Sequence, residues 1–150
     1  GHNGPLAFQG LGINGKMSEL QAALGLTVLP YMETILVERK KIADYYSQNL
    51  GFTRLQPLKI RENTDWNYSY YPVIFESEEQ LFKVEKELNN NQIYPRRYFY
   101  PSLNTIDYVK GQTMPVSESI ASRILCLPLY VGLKLIDLSE IVEIINEELC

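Results

Sequence analysis

Gly12-Ile13-Asn14-Gly15-Lys16-Met17-Ser18-Glu19-Leu20-Gln21-Ala22-Ala23 runs from a glycine-rich loop straight into a helix, and the reading of that junction decides the fold. With Gly10 and Leu11 ahead of it, the stretch contains G-x-G-x-x-G. In a dinucleotide fold such glycines let a tight turn approach a pyrophosphate, but only where a strand feeds the loop and a βαβ unit follows. Pro5 to Gln9 is too short and irregular for that strand, and two helices follow instead. Gly10 to Lys16 also approaches the P-loop pattern, yet Met17 displaces the magnesium-binding hydroxyl to Ser18. The junction therefore reads as a lead-in loop entering a capped helix. Asn14 and Lys16 lie beside the helix start, where backbone N–H groups favour an anion.

Outward from the junction, Ser18-Glu19-Leu20-Gln21 fits a capping box, and Met17, Leu20, Leu24 and Val28 recur at helical spacing. Pro30 predicts a kink or break. A second helix is expected from about Met32 to Asn49, with Ile35, Ile42, Tyr46 and Leu50 on one face and Gly51 as its stop. Phe52 to Gln56 reads as a short strand and Trp66 to Phe75 as a longer one, placed at an edge or bulge by Pro72. Ser77-Glu78-Glu79-Gln80 starts a helix to about Asn89 with Leu81, Val84 and Leu88 inward. Ile93 to Tyr98 and Leu125 to Leu127 read as strands. Ser117 is expected to cap a short helix, and Asp137 to Glu140 the last one, whose inner face is Ile141, Ile144, Ile145 and Leu149. The fold class is α+β: long N-terminal helices followed by a small α/β sandwich with a mainly antiparallel sheet. Its parts are a lead-in loop (1–16), linking helices (17–50) and a C-terminal domain (51–150).

Composition narrows the function. The 150 residues are 45% hydrophobic and 21% charged with a net charge of −4, which suits a globular protein and offers nothing broad to nucleic acid or anionic membrane. No apolar run is expected to approach the length of a membrane span. Cys126 and Cys150 with the sole histidine, His2, make neither a zinc pattern nor a serine-type triad, and point to a reducing, cytoplasmic setting. Glu78-Glu79 and Glu147-Glu148 read as solvated helix faces, and Trp66 as packing that could also stack on a base.

Three segments carry a resemblance. Gly12 to Ala23, Arg96-Arg97-Tyr98-Phe99-Tyr100-Pro101 and Leu125-Cys126-Leu127-Pro128-Leu129-Tyr130, in that order, resemble the DegT/StrS family of sugar aminotransferases over essentially the whole chain. The resemblance implies the C-terminal portion of a fold type I enzyme. Such an enzyme uses pyridoxal phosphate to move an amino group, usually from glutamate, to a keto group on a nucleotide-diphosphate sugar. It implies that the cofactor's lysine lies upstream, in a large domain, so that this chain alone supplies no catalytic residue and is inactive. Asn14 would reach across a homodimer to the partner's cofactor phosphate, with Lys16 nearby. Lysine there keeps the charge but loses the fork of arginine, which many members carry. Many members also have His-Tyr-Pro where this chain has Phe99-Tyr100-Pro101, so a histidine role does not transfer. The Arg-Arg-Tyr-Phe-Tyr-Pro form resembles the subgroup acting on dTDP-linked 4-keto-6-deoxy sugars, which makes Arg97, Tyr98 and Tyr100 candidates to contact the sugar or its diphosphate.

A rival reading is a non-catalytic α/β interaction or ligand-binding module. Either way, the helices from Met17 to Asn49 are expected to expose an apolar surface that another domain or subunit covers.

Overall fold

The computed structural model describes residues 10, 15, 17–109 and 111–150. Helix α1 (Glu19–Val28) opens with the expected capping box: the Ser18 N–H donates to Gln21 Oε1 at 2.7 Å and the Gln21 N–H to Ser18 Oγ at 3.3 Å. At Pro30 the α pattern gives way to a 3₁₀ turn, Leu29–Tyr31, and resumes as α2 (Met32–Asn49). Buried Ile42, Tyr46 and Leu50 face the core as their spacing requires. Past the end of α2, the Gly51 N–H donates to Asn146 Oδ1 at 2.8 Å, and Asn146 Nδ2 donates to the Asn49 carbonyl at 2.9 Å. One amide thus caps α2 from another element.

Three strands follow: β1 (Leu55–Pro57), β2 (Tyr71–Phe75) and β3 (Ile124–Leu127), in the order β1-β2-β3 with both pairings antiparallel. The strand expected from Trp66 begins only at Tyr71. Tyr68 takes a positive φ of 52° and Asn67 Oδ1 accepts the Ser69 N–H, so the chain turns before it can extend. Pro72 falls in the central strand, but the last β1 rung is Pro57–Val73, so at Pro72 the sheet continues only towards β3. The strand expected over Ile93 to Tyr98 is a single bridge, Arg96 opposite Cys126. Gln92 at φ 61° precedes it, Pro95 has no N–H to offer, and the Tyr98 N–H folds back onto the Arg96 carbonyl.

Three helices complete the domain: α3 (Glu78–Asn90), α4 (Pro115–Arg123) and α5 (Leu135–Glu148). Ser77 caps α3 through the Gln80 N–H, while the Gln80 side chain accepts from Glu76. Two expected caps are corrected. Proline at the first position starts α4, so Ser117 lies inside it and meets Ser102 Oγ at 2.7 Å. Helix α5 begins two residues before Asp137, whose charge then sits in the first turn, where the helix dipole favours it. Alternate β2 residues Tyr71, Val73 and Phe75 meet Leu81, Val84 and Leu88 of α3 and Ile141 and Ile145 of α5 in one core. Each such side chain contributes about 1.5–3 kcal/mol on burial.

Helix α1 stands apart, with no buried residue; Leu20 is 81% exposed and Leu24 65%. The sequence reading of apolar runs is corrected here too. Glu19–Asn49 forms 31 helical residues whose apolar part, mean hydropathy 1.4, is long and apolar enough to cross a membrane by length and composition. Gln21, Pro30 and Glu33 interrupt the run without lowering its average below that mark. A helix destined for burial against protein meets the same measure.

Candidate functional site

The Arg96–Cys126 bridge assembles the candidate site. The Arg96 N–H donates to the Cys126 carbonyl at 3.1 Å and the Cys126 N–H to the Arg96 carbonyl at 2.7 Å. Two segments thirty residues apart, Arg96 to Pro101 and Leu125 to Tyr130, thus share one edge of the sheet. Beyond the bridge the chain passes through cis peptide bonds at Tyr98–Phe99 and Tyr100–Pro101 and reaches Ser102, which is buried.

The side chains of this segment divide between two surroundings. Tyr98 stacks on Phe99 with centroids 5.2 Å apart and meets the edge of Tyr70 at 5.5 Å, while Arg96 Nη1 donates to the Tyr98 hydroxyl at 2.9 Å. With Trp66, Leu58 and Ile124 these rings line an open cleft of about 200 Å³. Cys126 lies at its floor, its thiol pushed up to about 11 by burial, which leaves it a poor nucleophile.

Arg97 turns the other way. Its Nη2 donates to Glu78 Oε1 at 2.8 Å and to the Ser122 carbonyl at 2.9 Å, and its guanidinium lies between the rings of Tyr100 and Phe82. The side chain is only 7% exposed. Glu78, read in the sequence as a solvated helix start, is this cation's partner. Nothing local announces the pairing, because nineteen residues and a helix separate the two.

The loop after Pro101 is pinned by Glu118. Its Oε1 accepts the Met114 N–H at 2.7 Å and Asn104 Nδ2 at 2.6 Å, and Asn104 Oδ1 accepts the Ser102 hydroxyl. The Met114 N–H, then Asn104, hold this carboxyl below its ordinary range. Neither Glu118 nor Ser102 stood out in the sequence.

Elsewhere, a second cleft of about 370 Å³ opens between α5 and the Gln92–Tyr94 turn, with Tyr130, Asp137 and Glu140 in its lining. Among the described residues no group of three or more His, Cys, Asp or Glu side chains is placed to hold a metal. Asn14, Lys16 and His2 lie outside the described residues. What the described site offers is flat apolar walls and two tyrosine hydroxyls, one of them bonded to Arg96, an arrangement suited to stacking on and orienting a ring-bearing ligand.

Comparison with known proteins gives a consistent setting. The model of the DegT/DnrJ/EryC1/StrS aminotransferase family matches residues 2–146. The chain is 37% identical over 144 residues to dTDP-4-amino-4,6-dideoxy-D-glucose transaminase of Shigella dysenteriae, covering 91% of this chain and 39% of that protein. To the Escherichia coli protein of the same name it is 35% identical over 134 residues, covering 81% and 35%. Among solved structures it resembles the putative sugar aminotransferase Spr1654 from Streptococcus pneumoniae, solved in apo, PMP and PLP forms. In the PLP form the TM-score is 0.77 at 25% identity, over 88% of this chain and 36% of that one. The chain thus spans between a third and two-fifths of the length of these relatives.

Proposed function

The chain belongs to the DegT/DnrJ/EryC1/StrS aminotransferase family, and on that premise we propose that it is the C-terminal portion of a sugar-nucleotide aminotransferase. The complete enzyme would transfer an amino group from glutamate to a dTDP-linked 4-keto-6-deoxy sugar, with pyridoxal phosphate carried on a lysine outside this chain. The observation that supports the reading best is the bridge that sets Arg96–Pro101 against Leu125–Tyr130. It sets Tyr98 in an aromatic cleft beside the sheet edge, while Tyr100 lies against Arg97 in the same segment.

In this proposal Tyr98 and Tyr100 face the sugar diphosphate, and Arg97 belongs to the same segment. The cleft walled by Trp66, Tyr70 and Phe99 takes the apolar face of the nucleotide. The cofactor is a different matter. Neither cleft fits a phosphate-bearing pyridine ring bound as an aldehyde, since no lysine or arginine lines either one. The cofactor-facing roles proposed for Asn14 and Lys16 therefore require a site completed by other protein, the large domain and a second subunit. The apolar surface of α1 is proposed to meet the same neighbours, in a cytoplasmic homodimer.

The test uses the complete protein that carries this chain. Incubated with pyridoxal phosphate, glutamate and a dTDP-4-keto-6-deoxy sugar, it is expected to form the amino sugar, read by mass spectrometry. The 150-residue chain alone is expected to form none. Turnover by the chain alone, or none by the complete protein with any nucleotide-linked keto-sugar, would end this reading.

A further inference from the structure

Arg97 is held from several sides. Its side chain is 7% exposed, its Nη2 serves both Glu78 and the Ser122 carbonyl, and its Nε is buried without a partner among the described residues. The guanidinium carbon lies 3.8 Å from the Tyr100 ring centroid and 5.0 Å from that of Phe82. Turning this group outward to a ligand would break its bonds to Glu78 and to the Ser122 carbonyl and lift the guanidinium off both rings. The Tyr100 hydroxyl, by contrast, has no hydrogen-bond partner among the described residues and is free to donate.

The geometry points to Arg97 as a positioning residue. It acts on the nucleotide sugar through Tyr100, whose ring it clamps in a Phe82–Arg97–Tyr100 stack anchored on α3 by Glu78. This rests on the proposal that Tyr100 faces the sugar diphosphate, and it changes the part given to Arg97 from contact to support. A planar guanidinium is what the arrangement needs. It presents a flat cationic face to each ring while its edge donates to a carboxylate, and a lysine ammonium can do only the latter.

The discriminating experiment is a double-mutant cycle in the complete protein, with Arg97→Lys, Tyr100→Phe and the pair. Arg97→Lys alone is expected to raise KM for the nucleotide sugar about tenfold with kcat little changed. In the Tyr100→Phe background it should add less than about twofold, because the group it orients is gone. Equal losses in both backgrounds would show direct substrate contact and overturn the inference, as would no loss in either. A second measurement needs no substrate. The ring-proton resonances of Tyr100, assigned by their disappearance in Tyr100→Phe, are expected to move in Arg97→Lys. They should move again in Phe82→Leu, which keeps the ion pair and serves if Arg97→Lys does not fold. Unmoved resonances mean that the stack does not exist. Resonances that move in a protein binding no nucleotide sugar would overturn the enzymatic reading, and the purpose given to Tyr100, while leaving the stack intact.

Discussion

Tyr46 offers the sharpest test of how the helices are fastened to the sheet. It is 0% exposed, its ring lies 4.9 Å from that of Tyr71, and its hydroxyl donates to the Pro128 carbonyl at 2.9 Å. That bond ties α2 to the segment leaving β3. Tyr46→Phe keeps the ring, the volume and the contact with Tyr71, so no cavity term enters. What is lost is one hydrogen bond, leaving a half-buried carbonyl without its donor. Net losses of this kind run to about 1–2 kcal/mol. For a chain of this size that is a fall in melting temperature of roughly 2–8 °C. Urea titration of the chain and its variant, followed by circular dichroism, measures it. Tyr46→Ala, which also empties the ring's place, should cost about 3–5 kcal/mol.

The pH dependence gives the same side chain a second signature. Burial first, then the neighbouring Tyr130 and Tyr71, raises the Tyr46 phenol far above its ordinary value of 10. A group whose pKa is raised on folding gives stability that is complete below its unfolded pKa and is lost as pH climbs above it. Folding should therefore weaken above about pH 10, with a slope approaching about 1.4 kcal/mol per pH unit from Tyr46. Tyr71, also raised by burial but eased by its bond to Ser47, adds in the same direction. Tyr46→Phe removes the larger part of that slope. A variant within about 0.3 kcal/mol of the parent, with an unchanged alkaline slope, would refute the argument, because the Pro128 carbonyl would then be satisfied by water.

Other consequences are simpler to state. Glu118 has a lowered pKa, so its hold on the loop is complete above the usual 4.5 and is lost as pH falls through the folded value. Protection of the Met114 amide, taken relative to the intrinsic exchange rate at each pH, should fall as pH drops below 4.5 through the folded value and should be lost in Glu118→Ala at all pH values. Asn146→Ala removes both bonds that cap α2 and should cost about 1–2 kcal/mol in urea titration. Asn146→Asp, which keeps the acceptor and loses the donor, should fall between. Sedimentation of the isolated chain should show self-association through α1, and Leu20→Glu with Leu24→Glu should shift it to monomer.

Local signals were legible in the sequence and distant ones were not. Ser18 and Ser77 announce their helices because a cap is satisfied within three residues. The inward faces of α2, α3 and α5 follow from helical spacing alone. Strand lengths were overestimated wherever an aromatic-rich stretch contained a turn. Tyr68 and Gln92 adopt positive φ, which side-chain preference for extended structure does not forecast. Within the candidate site, Tyr98 and Tyr100 entered as candidates through the resemblance of their segment. Glu78, Phe82 and Tyr70 did not, because what brings them there is the packing of α3 and the pairing of β2 with β3. Arg97 shows the difference most plainly: its charge pointed outward to a diphosphate, while the fold supplied a carboxylate and two rings behind it.

Helix α1 carries the argument one step beyond the site. A surface helix keeps its apolar residues on one stripe and turns its polar face to water. Leu20 and Leu24 lie on one side of α1 and Leu26 on another, and all three are exposed. A ten-residue helix of that kind gains little from its own hydrogen bonds, since nucleation makes so short a segment marginal in water. With apolar residues on more than one side, it gains from enclosure in more than one direction. A single domain docked on one face would leave the Leu26 side or the Leu20 side in water. The proposed arrangement, in which a large domain and a second subunit both meet this helix, supplies two directions.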